Sequence, residues 1–128
     1  MPHITVEHSE NLAEHHDIDA LVAAIHTAAL DHGLPELAAL RTRAVSRRHY
    51  RIASGDPLFG FVAIDCRIAP GRDAAAKHSF LEQVLDAAEA QLESEGSSLH
   101  IAWSMEITEV NPEFRINRNR VRDALGQS

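Results

Sequence analysis

Pro2 is the residue with the most chemical promise. Removal of Met1 would leave it with a free secondary amine at the head of the chain. Such an amine acts as a base or nucleophile without help from any side chain, provided it is uncharged. An α-amino group titrates near ~8, so proton abstraction at neutral pH requires a lowered value. Burial in an apolar pocket and nearby fixed cations both lower it. Eleven of the twelve basic residues are arginine, Lys77 is the one lysine, and none precedes Arg41. Arginine is suited to bidentate capture of carboxylates and phosphates. Most of the eleven read as surface residues that pair with the many carboxylates. An arginine beside Pro2 would do two jobs: hold an anionic substrate and keep the amine unprotonated.

Arg41 and Arg43 share one face of a strand-like stretch. Arg72 lies in a turn just ahead of a helix, where an anion is favoured by the helix N-terminus. Taken by itself, that position in a turn favours a solvent-facing residue.

Other chemistries find less support. The nine histidines show no HxxxH or HExxH spacing. His3 and His8 fall on opposite faces of a strand, His26 and His32 are not on one helix face, and His15–His16 lies in a loop; solvated or singly bonded histidines are the better reading. Cys66, the single cysteine, sits in a strand expected to be buried and reads as a small core residue, with neither a disulfide framework nor a cysteine metal site. Glycine-rich nucleotide loops and the GxSxG elbow are absent.

The elements that must position these residues follow from periodicity. Ile4 to His8 alternates as a strand, and Ser9 to His16 reads as a loop. Asp17 is a plausible N-cap for an amphipathic helix carrying Ile18, Leu21, Val22, Ile25, Ala28 and Ala29, closed by Gly33 and Pro35. Ala39 to Ala44 reads as a strand, Val45 to Ile52 as a basic strand or hairpin arm, and Ser54 to Pro57 as a turn. The second half repeats this order. Phe59 to Ile68 is a strand, and Pro70 to Asp73 a turn ending in an N-cap. Phe80, Leu81, Val84, Leu85, Ala88 and Leu92 form a second amphipathic helix, stopped by Gly96. Leu99 to Val110 is a strand ended by Pro112. The tail from Glu113 to Ser128 reads as a short strand and helical turn packing on a neighbour.

The fold class is therefore α+β: two β-α-β units, about 1–56 and 57–112, followed by tail 113–128 in a single domain. Right-handed crossovers give a four-stranded mixed sheet with two helices on one face. The other face, with Ala39, Phe61 and Ala63 as examples, is expected to be small or apolar, and uncovered apolar faces call for a partner. The chain has 128 residues and a net charge of −7, which argues against general nucleic-acid binding. No apolar run approaches the ~20 residues of a membrane span. The N-terminus lacks the features of a signal peptide, so a cytoplasmic protein is expected.

Pro2-His3-Ile4-Thr5-Val6-Glu7, Leu40-Arg41-Thr42-Arg43, Ile68-Ala69-Pro70-Gly71-Arg72, Met105-Glu106-Ile107 and Asn111-Pro112, in this order and spacing, resemble the 5-carboxymethyl-2-hydroxymuconate isomerase family. It belongs to the tautomerases with an amino-terminal proline, and the resemblance covers nearly the whole chain. It implies a homotrimer with sites near subunit boundaries and no cofactor or metal. It implies isomerisation of a small tricarboxylate dienol in homoprotocatechuate degradation. Pro2 carries over as catalytic base, Arg72 as oxyanion and carboxylate ligand, and Arg41, with Arg43 as its competitor, as substrate-binding residue. Short-subunit tautomerases often carry an arginine near the eleventh position, where this chain has Asn11-Leu12-Ala13. The alternatives are a tautomerase of another 2-hydroxydienoate or enol acid, or a noncatalytic anion-binding module on the same fold.

Overall fold

The computed structural model describes residues 2–126. The fate of Met1 therefore lies outside the described residues, as do the last two residues of the tail. The elements run β1 (His3–Ser9), α1 (Asn11–His15), α2 (Ile18–His32), β2 (Arg41–Arg47), β3 (Phe59–Ile68), α3 (Ala74–Glu95), β4 (His100–Glu109), a 3-10 turn (Pro112–Phe114) and α4 (Arg120–Ala124). The sheet order is β2-β1-β3-β4. The pairs β1–β2 and β3–β4 are parallel, and the central pair β1–β3 is antiparallel. Each parallel pair is joined by a long helix, and the antiparallel seam connects the two units.

Both long helices begin and end where the sequence places them. Asp17 caps α2 by accepting the Ala20 N–H at 3.0 Å, and Asp73 caps α3 by accepting the Ala76 N–H at 2.8 Å. Gly33 ends α2 in the left-handed region, φ 87°, which glycine enters without the Cβ clash other residues meet. Alternation in the strands sends Ile4, Val6, Val62, Ile64, Cys66 and Ile68 into one core with Leu21, Ile25 and Ala29 of α2 and Phe80, Val84, Ala88 and Leu92 of α3. Burying such a side chain stabilises the fold by about 1.5–3 kcal/mol.

Four expectations are corrected. Residues Asn11–His15 are a short helix rather than a loop; Leu12 is fully buried and holds it down. The basic stretch after β2 ends its pairing at Arg47 and forms no hairpin arm. The tail has its expected helical turn in α4 but, among the described residues, no strand, and its last part is bonded to its own chain. Asn119 Nδ2 donates to the Ala38 carbonyl at 2.8 Å, and Arg122 pairs with Glu36 at 2.9 Å. The open sheet face is more charged than foreseen. Phe61 and Ala63 do lie there, but Ala39 is buried ahead of β2, and Glu7, Arg43, Arg47, Asp65 and Glu106 surround them. Strand pairing forces this, because Arg41, Arg43 and Arg47 must share a face once Thr42 and Ala44 turn to the helices.

Two polar networks lock the corners. Ser9 Oγ donates to Asn11 Oδ1 at 2.6 Å and accepts the Phe61 N–H at 3.0 Å, while Asn11 Nδ2 donates to the Phe59 carbonyl at 2.8 Å. A Cβ on Gly60 would stand 3.2 Å from Ser9 Oγ, so glycine leaves room for the network. At the far end, buried His16 lies between Glu95 (2.9 Å) and Ser97 (3.0 Å), joining the α1–α2 corner to the end of α3. Among the described residues no helix is long and apolar enough to cross a membrane.

Candidate active site

Pro2 is buried at the entrance to β1, and its carbonyl accepts the Arg41 N–H at 3.2 Å. It lines a cavity of about 290 Å³ together with Arg72, Arg115, Arg122, Glu36 and Asn117. Small-molecule pockets typically start near ~300 Å³, so the volume suits a compact metabolite. Four segments converge here: the start of β1, the α2–β2 loop, the β3–α3 loop and the tail. Leu34, Ala39 and Ile68 supply apolar wall. Gly71 turns the chain with φ 117° immediately before Arg72, which in turn precedes the Asp73 cap of α3.

The local charge is opposite to that of the chain. Glu36 pairs with Arg122 at 2.9 Å, which leaves Arg72 and Arg115 as two cations around Pro2 without a carboxylate partner among the described residues. Arg115 is half-buried, so its field at the proline is screened less than that of the exposed Arg72. A free amine placed here would be held toward its neutral form.

Arg41 and Arg43 do not line this cavity. Both point to the open face of the sheet, where they approach the two ring nitrogens of His3. Arg41 Nη1 is 3.3 Å from Nε2, and Arg43 Nη1 is 3.0 Å from Nδ1. A neutral imidazole has a single acceptor nitrogen, so the ring can accept from one guanidinium at a time. Burial pushes the His3 ring down from 6.5 to about 4, assisted by Arg43, Arg67, Arg41 and Arg115. The ring is thus neutral near pH 7. Cys66 is buried in β3, and that burial, with Asp65 beside it, pushes its thiol up to about 12. Trp103 lines a separate cavity beside His16 and is no wall of the Pro2 site.

A larger hollow of about 440 Å³ lies on the open face between Thr5, Glu7, Arg47, Asp65 and Glu106. Its arginine is already bonded to Glu7 at 2.6 Å, and its other charges are carboxylates. Such a surface repels anions and contains no amine, so size alone does not make it the site.

The sequence brings Pro2 and Arg72 forward as candidates, and the fold sets them in one cavity. Arg115, Asn117, Arg122 and Glu36 carry no signal of their own in the sequence. They gain their position from the tail folding back over the α2–β2 loop, which no local pattern in an Arg- and Asn-rich stretch announces.

The chain matches the 5-carboxymethyl-2-hydroxymuconate isomerase family over residues 2–125. It belongs to that family. A 5-carboxymethyl-2-hydroxymuconate Delta-isomerase of Escherichia coli is 26% identical over 121 residues, covering 94% of this chain and 96% of the relative. A crystal structure of 5-carboxymethyl-2-hydroxymuconate delta-isomerase superposes with a TM-score of 0.86 at 25% identity, covering 100% of this chain and 94% of the other. A 5-carboxymethyl-2-hydroxymuconate isomerase from Deinococcus radiodurans R1 shares the fold, with a TM-score of 0.85 at 22% identity and coverage of 97% and 93%. Membership of this isomerase family makes the chain an enzyme, and the mixed sheet with its helices on one face is the family's architecture.

Proposed function

We propose that the chain isomerises 5-carboxymethyl-2-hydroxymuconate, a tricarboxylate dienol of homoprotocatechuate breakdown, to its 2-oxo-3-ene form, with Pro2 as the base. The observation that carries this reading is the placement of Pro2 in one cavity with two arginines that have no carboxylate partner among the described residues. In the proposed reaction the amine of Pro2, freed by loss of Met1, takes the proton of the 2-hydroxyl. The O–H bond breaks, the 2-oxo group forms, and the two double bonds collapse to one between C3 and C4. The same nitrogen returns the proton to C5. One base shuttles it, so a separate acid is not required. Arg72 stabilises the negative charge that develops on the 2-oxygen. Holding the substrate within reach of the nitrogen supplies the rest of the advantage. Arg41 and Arg43 belong to this reading as ligands for a carboxylate that reaches past the end of β1 to the open face.

The whole chain works in this reading as one domain of two β-α-β halves, and the assembly is a homotrimer. The open sheet face supports a partner of the same kind, since Phe61 and Ala63 are ringed there by both signs of charge. The reaction is taken to occur in the cytoplasm.

A spectrophotometric panel of enol acids with one, two and three carboxylates tests the activity. A clear preference for the tricarboxylate is expected. Equal rates across the panel would replace this reading with that of a general tautomerase, and no turnover of any enol by protein lacking Met1 would end it.

A further inference from the structure

Arg115 occupies an inverted position. Its backbone is extended, φ −135° and ψ 133°, so side chains alternate on either side of it. The two neighbours that face solvent are the apolar ones: Phe114 and Ile116 are each 81% exposed. The charged residue between them is the one turned inward. Its Nη2 is fully buried and has no hydrogen-bond partner among the described residues. A buried guanidinium N–H without an acceptor is unfavourable, and such groups are nearly always satisfied in folded proteins. The Arg115 side chain itself lines the cavity that holds Pro2 and Arg72.

The tail is bonded to the rest of the fold on both sides of this residue. Upstream, the Val110 N–H donates to the Ile68 carbonyl at 2.8 Å, and Asn111 Oδ1 accepts the Glu113 N–H at 3.0 Å. Downstream, Asn119 is bonded to Ala38 and Arg122 to Glu36. Arg115 is carried between two fixed points.

We propose that Arg115 binds a second carboxylate of the substrate, so that the tail makes this cavity selective for polycarboxylates. The inference rests on the reading of Pro2 and Arg72 given above. The missing acceptor is an anionic oxygen of the ligand, and a planar carboxylate matches the guanidinium fork. Arg122 has Glu36 as a carboxylate partner at 2.9 Å, whereas Arg115 Nη2 has no acceptor among the described residues. An enol acid with one carboxylate can satisfy Arg72 alone; one with two or three can satisfy both.

The test uses the full chain with Arg115→Ala, Arg115→Gln and Arg115→Lys, each first checked for an unchanged thermal midpoint. Loss of a hydrogen bond to a charged group corresponds to roughly 10- to 100-fold. For Arg115→Ala, KM for 5-carboxymethyl-2-hydroxymuconate should rise by about that factor, with kcat changed much less. The loss in kcat/KM should exceed the loss for a monocarboxylate enol by about tenfold or more. Arg115→Lys should recover part of it, and Arg115→Gln covers the case in which the alanine variant fails to fold. Equal losses on all substrates, or none, would overturn the proposal. Calorimetric binding of tricarballylate, an unreactive tricarboxylate, provides a readout without turnover. Binding that weakens in Arg115→Ala supports the subsite even if wild type turns over no enol, in which case the proposed activity alone is wrong. Binding that is absent in wild type, or equal in the variant, overturns the subsite.

Discussion

The carbonyl oxygen of Pro2 accepts the backbone N–H of Arg41 at 3.2 Å, so the proline is tied to β2 through its carbonyl. An imino acid has no amide hydrogen to give to a ladder. Its nitrogen is therefore not required by the sheet and is left for chemistry.

Replacing Pro2 by alanine should leave this carbonyl bond and the fold intact, with a stability loss of about 1 kcal/mol because the site is buried. The terminal amine becomes primary, and some activity should survive, lowered by up to about 10²-fold in kcat/KM. Protein that keeps Met1 has an amide at the Pro2 nitrogen and should fall below the alanine variant. Intact mass paired with initial rates checks both; a Met1-bearing sample at full rate would contradict the role of the nitrogen.

Arg72 is exposed at the rim of the cavity rather than built into the core. Arg72→Ala should lower kcat/KM by about 10²–10³-fold, the range seen when an oxyanion donor is removed. Its thermal midpoint should match wild type. Unchanged kinetics would remove Arg72 from the site.

His3 should titrate near pH 4 by NMR, and Arg43→Ala should move that value upward, because Arg43 is the leading charge acting on the ring after burial itself. The folded protein holds the neutral ring below the unfolded value of 6.5. The unfolded chain therefore takes up this proton first as pH falls. The contribution to stability is complete above about pH 6.5 and is lost progressively toward pH 4. In denaturant titrations across that window, His3→Gln should lose less stability than wild type.

The Ser9–Asn11 network joins β1 to the start of β3. Asn11→Leu leaves the Phe59 carbonyl and Ser9 Oγ without this partner and should destabilise by about 1–3 kcal/mol. Chemical denaturation measures it. A change under about 0.5 kcal/mol would show that water replaces the amide without cost.

Much of this architecture was legible in the residues. Phe59–Ile68 was bounded correctly because Gly and Pro frame it and its alternation is strong. Asp17, Gly33, Asp73 and Gly96 marked the helix ends because capping is a local interaction. The short helix at Asn11–His15 was not legible, since one buried leucine and a contact to β3 stabilise it rather than any helical period. The same limit applied to the site. Pro2 stands out by residue type, whereas Arg72 reads locally as a solvent-facing turn residue and becomes a candidate only through the family resemblance; the fold sets both in one cavity. Arg115 looked like Arg118, Arg120 and Arg122, and its burial arises only when Asn119 and Arg122 dock on residues far earlier in the chain.

The antiparallel seam between β1 and β3 gives the chain an approximate internal dyad. Under that symmetry the start of β3 is the mirror position of the start of β1, and there too a proline, Pro57, stands shortly before the strand. Its nitrogen lies within a peptide bond in the middle of the chain. In the proposed reaction only the first unit can therefore offer a terminal amine, and the two ends of the pseudo-twofold sheet are chemically unequal.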